Sequence, residues 1–136
     1  MARTRSKEAH EKVLMAAAAL FAERGLDATS MDSIAEASGV SKATIYKHWA
    51  NKDVLSLEAL SYLFGADEKI PVPDTDDLRA DLITRLSHQP ATDRKHLRDR
   101  VMPHVIAYAS KNHDFGNAWR NRAMAPLITA LARIRA

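Results

Sequence analysis

The chain has 136 residues, 46% hydrophobic and 27% charged, with four Gly, five Pro and no Cys. That length suits one domain, or two small helical layers sharing a core, and the composition excludes collagen, low-complexity disorder and multidomain machinery. Without cysteine there is no disulfide framework, thiolate zinc site or cysteine nucleophile, and a net charge of +3 permits a polyanionic partner without demanding one.

Arg3, Arg5 and Lys7 precede the apolar run 13–22, a superficial likeness to a signal peptide. Glu8, His10 and Glu11 interrupt that pattern, and Glu23-Arg24-Gly25 stands where a small-residue cleavage site belongs. The run is also too short to span a bilayer, so no membrane partner is expected. Val13, Ala17 and Phe21 recur at helical spacing, widened by Leu14, Ala18 and Leu20, which predicts a helix over 6–24 stopped by Gly25. Thr29 or Ser30 can cap a second, short helix carrying Ile34, Ala35 and Ala37, closed by Gly39. Ser41 caps a third, whose wheel sets Ile45 and Trp49 on one face and Ala43, Thr44 and Lys47 on the other.

Asn51 can cap a fourth helix with a broad apolar surface of Val54, Leu55, Leu57, Leu60, Leu63 and Phe64, ending at Gly65. Residues 66–76, with Pro71 and Pro73, read as a loop, and Asp77 can cap a fifth helix on Leu78, Leu82, Ile83 and Leu86, ended by Pro90. A sixth helical region covers 93–111, where Pro103 should kink or split it. A seventh follows from Phe115, with Trp119, Ala123, Leu127, Ala130, Leu131 and Ile134 on one stripe. No alternating strand pattern occurs, so the expected fold is all-α with about seven helices. The last stripe still runs at Ile134 without a stop signal, so it must pack on earlier helices, meet another subunit, or belong to a shortened chain.

Residues 1–52 hold eight Lys+Arg against six Asp+Glu, and residues 53–136 hold twelve against eleven. The local excess is sharper: residues 37–51 contain no acidic residue but include Lys42 and Lys47, and Lys52 follows. Two short helices about a Gly39-Val40-Ser41 turn, the second with a basic, hydroxyl-bearing exposed face, form a helix-turn-helix pattern. One helix fits the major groove of duplex DNA, where base edges are distinguishable, and a short side chain such as Ala43 permits close approach. Lys42, Ala43, Thr44 and Lys47 are the candidates for base contact. Ser30, Tyr46, His48 and Lys52 are the candidates for phosphate contact. The plainer reading is that such helix pairs are common, that exposed Lys is usually solvated surface, and that Tyr46 and His48 are rim residues.

The stretch from Val13 to Leu60 closely resembles the DNA-binding domain of TetR-like transcriptional regulators. The likeness rests on Leu20-Phe21-Ala22-Glu23-Arg24-Gly25, then Thr29-Ser30-Met31-Asp32-Ser33-Ile34-Ala35, then the run from Ala37 to Trp49, and Asn51-Lys52. It implies that positions matching Lys42, Ala43, Thr44 and Lys47 face the major groove, while those matching Tyr46, His48 and Lys52 hold the DNA backbone. It further implies a helix-turn-helix domain over 1–52 and a helical ligand-binding and dimerisation region over 53–136. Family members usually continue for two more helices that form a four-helix dimer interface, and this sequence stops before them. The reading is then a cytoplasmic, ligand-responsive repressor that binds a palindromic operator as a homodimer, with an unidentified small-molecule effector and no cofactor or metal. Met102, Tyr108, Phe115, Trp119 and Met124 are candidate pocket residues, with plain core as the competing reading.

An enzyme is the first rival: His88, His96, His104 and His113 form no close metal-binding pair with a third ligand, and Ser110, His113 and Asp114 are too near in sequence for a triad. The second rival is a helical protein-interaction module without DNA binding.

Overall fold

A computed structural model of the protein describes residues 2–64, 75–87 and 95–135. They form α1 (Ala2–Arg24), α2 (Met31–Ser38), α3 (Lys42–His48), α4 (Lys52–Phe64), α5 (Leu78–Ser87), α6 (Lys95–Lys111) and α7 (His113–Arg135). The fold is all-α, with seven helices and no strand among the described residues. Helix α1 is the hub, packing on α2, α4 and α6, while α7 closes on α4 and α6.

The spacing read from the sequence explains that position, because Val13, Ala17 and Phe21 are fully buried along one side of α1, with Leu14 and Ala18 beside them. Ile34 of α2, Ile45 of α3, Leu55 and Leu60 of α4 and Val101 and Val105 of α6 join the same core. Each large apolar side chain so buried contributes roughly 1.5–3 kcal/mol, and the turn glycines let the helices close on it. Gly25 ends α1 at φ +86°, its N–H donating to the Phe21 carbonyl at 2.9 Å. A Cβ there would sit 3.1 Å from His104 Nδ1, a tight contact with a side chain of α6 that adds to the preference of the positive φ for glycine.

Four details differ from the sequence expectation. Helix α1 starts at Ala2 rather than residue 6, because the polar lead-in is rich in good helix formers and holds no Pro or Gly to stop it. Pro103 does not split α6, which runs through it from Lys95 to Lys111. The lost N–H bond belongs to the Asp99 carbonyl, and Pro103 and Asp99 are both exposed, where water can replace it. Helix α7 begins at His113, two residues early, because Asn112 serves as the whole connection: its Nδ2 donates to the Tyr108 carbonyl at 2.9 Å and its own carbonyl accepts from the Gly116 N–H at 3.0 Å. Val54, Leu78 and Ile83, expected on apolar faces, are exposed, since no described helix covers the outer side of the first turn of α4 or that side of α5. The loop expected at 66–76 lies mostly outside the described residues, as do Pro90 and the side chains of Leu82, Leu86 and Met124.

Candidate nucleic-acid interface

The turn between α2 and α3 is built from local hydrogen bonds. Ser30 caps α2: its Oγ accepts from the Ser33 N–H at 3.1 Å, and the Ser33 Oγ accepts from the Ser30 N–H at 3.0 Å. Of the two cap candidates, Thr29 is instead buried, its hydroxyl donating to the Gly25 carbonyl at 2.7 Å. Gly39 ends α2 in the left-handed region at φ +73°, donating to the Ala35 carbonyl at 3.0 Å. Two residues on, Ser41 Oγ accepts from the Thr44 N–H at 3.2 Å and donates to Thr44 Oγ1 at 2.8 Å, which starts α3.

Helix α3 is therefore seven residues long and is held from one side. Ile45 is fully buried and the C-cap Trp49 is 1% exposed, one turn apart. Lys42, Ala43, Tyr46, Lys47 and His48 are exposed on the remaining surface, and Thr44 is half-buried. The burial pattern thus leaves the proposed reading face open, which is the arrangement a groove-binding helix requires.

Several of these side chains have protein partners. Lys42 Nζ lies 2.8 Å from Asp32 Oδ1 of α2, and that hydrogen bond, with the carboxylate charge, holds the ammonium's pKa above its ordinary value. The same ammonium is 6.0 Å from the centroid of the Tyr46 ring. His48 meets the Trp49 ring at 5.6 Å and the His10 ring at 5.8 Å. Lys52 Nζ donates to the Leu26 carbonyl at 2.9 Å and sits 5.5 Å from the centre of Tyr108, so this cation also braces α4 against the α1–α2 turn and α6. A small groove of about 210 Å³ opens between α1 and α3, where Thr44 and His48 face Ser6 and His10.

The five pocket candidates divide. Met102 and Trp119 line a groove of about 540 Å³ between α6 and α7, with Val105, Ile106, His113 and Arg120. Tyr108 and Phe115 are core, 7% and 2% exposed, their rings edge-on at 4.9 Å. The Met124 side chain lies outside the described residues. The sequence reading missed Asp32, Asp53, Glu58 and His10. Only Glu58 carried a signal, as a carboxylate set among Leu55, Leu57 and Leu60.

An exposed basic helix seated behind a capped glycine turn, on an all-α body, is the arrangement of a helix-turn-helix motif, which suits entry of one helix into the major groove of DNA. A family model described as "Bacterial regulatory proteins, tetR family" matches residues 13–59, the stretch that carries α2, the turn and α3. The uncharacterised HTH-type transcriptional regulator YdeS of Bacillus subtilis (strain 168) is 42% identical over 86 residues, covering 63% of this chain and 42% of that protein. The chain spans less than half the length of the curated relatives it matches. A TetR-family transcriptional regulator from Mesorhizobium loti MAFF303099 superposes with a TM-score of 0.62 at 25% identity, over 96% of this chain and 67% of that one. The flavonoid-responsive regulator FrrA shares the fold at 24% identity, with a TM-score of 0.68, over 92% of this chain and 65% of that one. No described helix is long and apolar enough to cross a membrane.

Proposed function

We propose that the protein is a ligand-responsive transcriptional repressor that binds a palindromic operator as a homodimer in the cytoplasm. The observation that carries this reading is the one-sided seating of α3: Ile45 and Trp49 are sealed beneath, while Lys42, Ala43 and Lys47 stand open to a major groove. On this reading Lys42, Ala43, Thr44 and Lys47 contact base edges, and Ser30, Tyr46, His48 and Lys52 contact phosphates. Residues 1–52 act as the DNA-binding unit and residues 53–136 as the ligand-binding and pairing unit.

Two-fold symmetry of the protein requires two-fold symmetry of the operator, with the reading helices in successive major grooves roughly 34 Å apart. The effector site is the groove between α6 and α7, whose apolar lining around Trp119 and Met102 suits a flat, largely apolar small molecule. The flavonoid response of FrrA, which shares the fold, supports that class. Occupancy of the groove tilts α4, which contacts α7 directly, and so changes the separation of the two heads. The test is selection of bound duplexes from a random pool. A symmetric consensus is the expected result, and a pool in which no sequence is enriched leaves the protein-interaction module instead.

A further inference from the structure

We propose that Glu58 of α4 is a positioning residue for the reading helix, one carboxylate that fixes the far end of α3 to α1 and α4 together. The inference rests on the DNA-reading function above. Glu58 Oε2 accepts from the indole N–H of Trp49, the C-cap of α3, and Oε1 pairs with His10 Nε2 of α1 at 3.0 Å. The His10 ring lies 4.6 Å from the Trp49 ring and 5.8 Å from His48, so three rings from α1 and α3 gather beside this one acidic group.

The geometry supplies what burial alone does not. Ile45 and Trp49, one turn apart, fix a seven-residue helix along a single line of apolar contact. Apolar burial is non-directional and resists rotation about that line poorly. A hydrogen bond to an ionised acceptor is directional and short-ranged, and it pins the indole plane. Burial pushes the Glu58 carboxyl up, but the bonds from Trp49 and His10 and the charges of His10 and Arg122 outweigh it and hold the group below its usual value. Arg122 belongs to α7, the helix whose Trp119 lines the groove and lies 5.7 Å from Phe64 of α4. The carboxylate therefore stands where α1, α3 and α4 meet, within the field of α7, and a shift of α4 re-aims α3 through it.

The test compares wild type with Glu58→Ala, Glu58→Gln and His10→Ala. For each, the affinity for the selected duplex, the affinity for a scrambled duplex and the melting temperature are measured. Glu58→Ala is expected to reduce the ratio of selected to scrambled affinity roughly tenfold, the size of one misread base pair, while binding to the scrambled duplex and its salt slope stay unchanged. Glu58→Gln keeps a carbonyl to accept the indole N–H and is expected to restore most of the ratio, and His10→Ala to fall between. A role in stability alone lowers the melting temperature and leaves the ratio as in wild type, which overturns the inference. If Glu58→Ala does not fold, the same criterion applies to His10→Ala. A wild-type protein with no sequence preference sinks the functional reading and this inference with it. A wild-type preference untouched by these substitutions sinks this inference alone.

Discussion

Replacing Tyr108 by Phe removes one hydroxyl and little else, which makes it a clean probe of how the body is joined to the DNA-binding helices. That hydroxyl, on α6, donates to Asp53 Oδ1 in the first turn of α4 at 2.6 Å. The phenylalanine keeps the edge-on contact with Phe115 and the cation of Lys52 over the ring. A hydrogen bond to a charged acceptor is worth about 1.5–3 kcal/mol, and Asp53 is half-buried, so water can partly replace the lost donor. The lower end, about 1.5 kcal/mol, is therefore expected. With an unfolding entropy near 2.1 cal/mol/K per residue, a chain of this size should lose about 5 °C in melting temperature.

The pH dependence gives an independent check on the same substitution. Burial first, then the bond to Asp53 and the charges of Asp53 and Asp27, raise the Tyr108 pKa far above its ordinary value. A raised folded-state pKa gives stability that is fully present below the unfolded value of about 10 and lost as pH rises through the folded one. Thermal unfolding followed by circular dichroism should show a constant gap between wild type and variant from pH 7 to 9, narrowing above about pH 10 as the wild type alone weakens. A shift under 1 °C at pH 7, or a gap that stays constant through pH 11, refutes the reasoning.

Asp32→Asn releases Lys42 from its 2.8 Å partner and removes a negative charge beside the reading face. Affinity for every duplex should rise, most at low ionic strength, in titrations at several salt concentrations. Lys47→Ala should cost about 1–3 kcal/mol at particular base pairs with melting unchanged, whereas Lys52→Ala should flatten the log–log salt dependence by about 0.9 and also lower the melting temperature, because its ammonium holds the Leu26 carbonyl. If both weaken all sequences alike, the assignment of readers is wrong. Gly39→Ala meets no atom within 4 Å, so only the left-handed backbone opposes it. It should lower the denaturant midpoint by the equivalent of about 1–2 kcal/mol without changing the slope.

What could be read from the sequence was set by the range of each interaction. The caps at Ser30, Gly39, Ser41, Asn51 and Asp77 all act within four residues, and each occurs where the helix boundaries implied: Asn51 Oδ1 accepts from the Val54 N–H at 3.0 Å, and Asp77 Oδ1 from the Ala80 N–H at 3.1 Å. The buried side of α3 followed from Ile45 and Trp49 by periodicity alone. The polar ties did not follow, because a carboxylate does not announce a partner 48 or 55 residues away, as Glu58 finds in His10 and Asp53 in Tyr108. The choice between pocket and core was not legible for a related reason. An aromatic on a helical stripe looks the same whether its partner is core, as for Tyr108 and Phe115, or a groove, as for Trp119.

Those long-range ties converge on α4, and their sizes constrain the proposed switch. At its N-terminal end Lys52 and Asp53 bind the α1–α2 turn and α6, and in its middle Glu58 binds α1 and the end of α3. An effector in the groove between α6 and α7 can shift the equilibrium only by its difference in affinity for the two arrangements. Moving a regulator from almost fully DNA-competent to almost fully incompetent takes about 5.5 kcal/mol. One tie to a charged group supplies about 1.5–3 kcal/mol. No one of these four ties is large enough to be the switch, whereas ties at both places on α4 together reach the requirement, so an effective ligand is expected to disturb both. It follows that Tyr108→Phe, by weakening one end, should leave the variant responsive to effector but at a lower concentration than wild type. A variant that needs more effector would place the switch elsewhere than on α4.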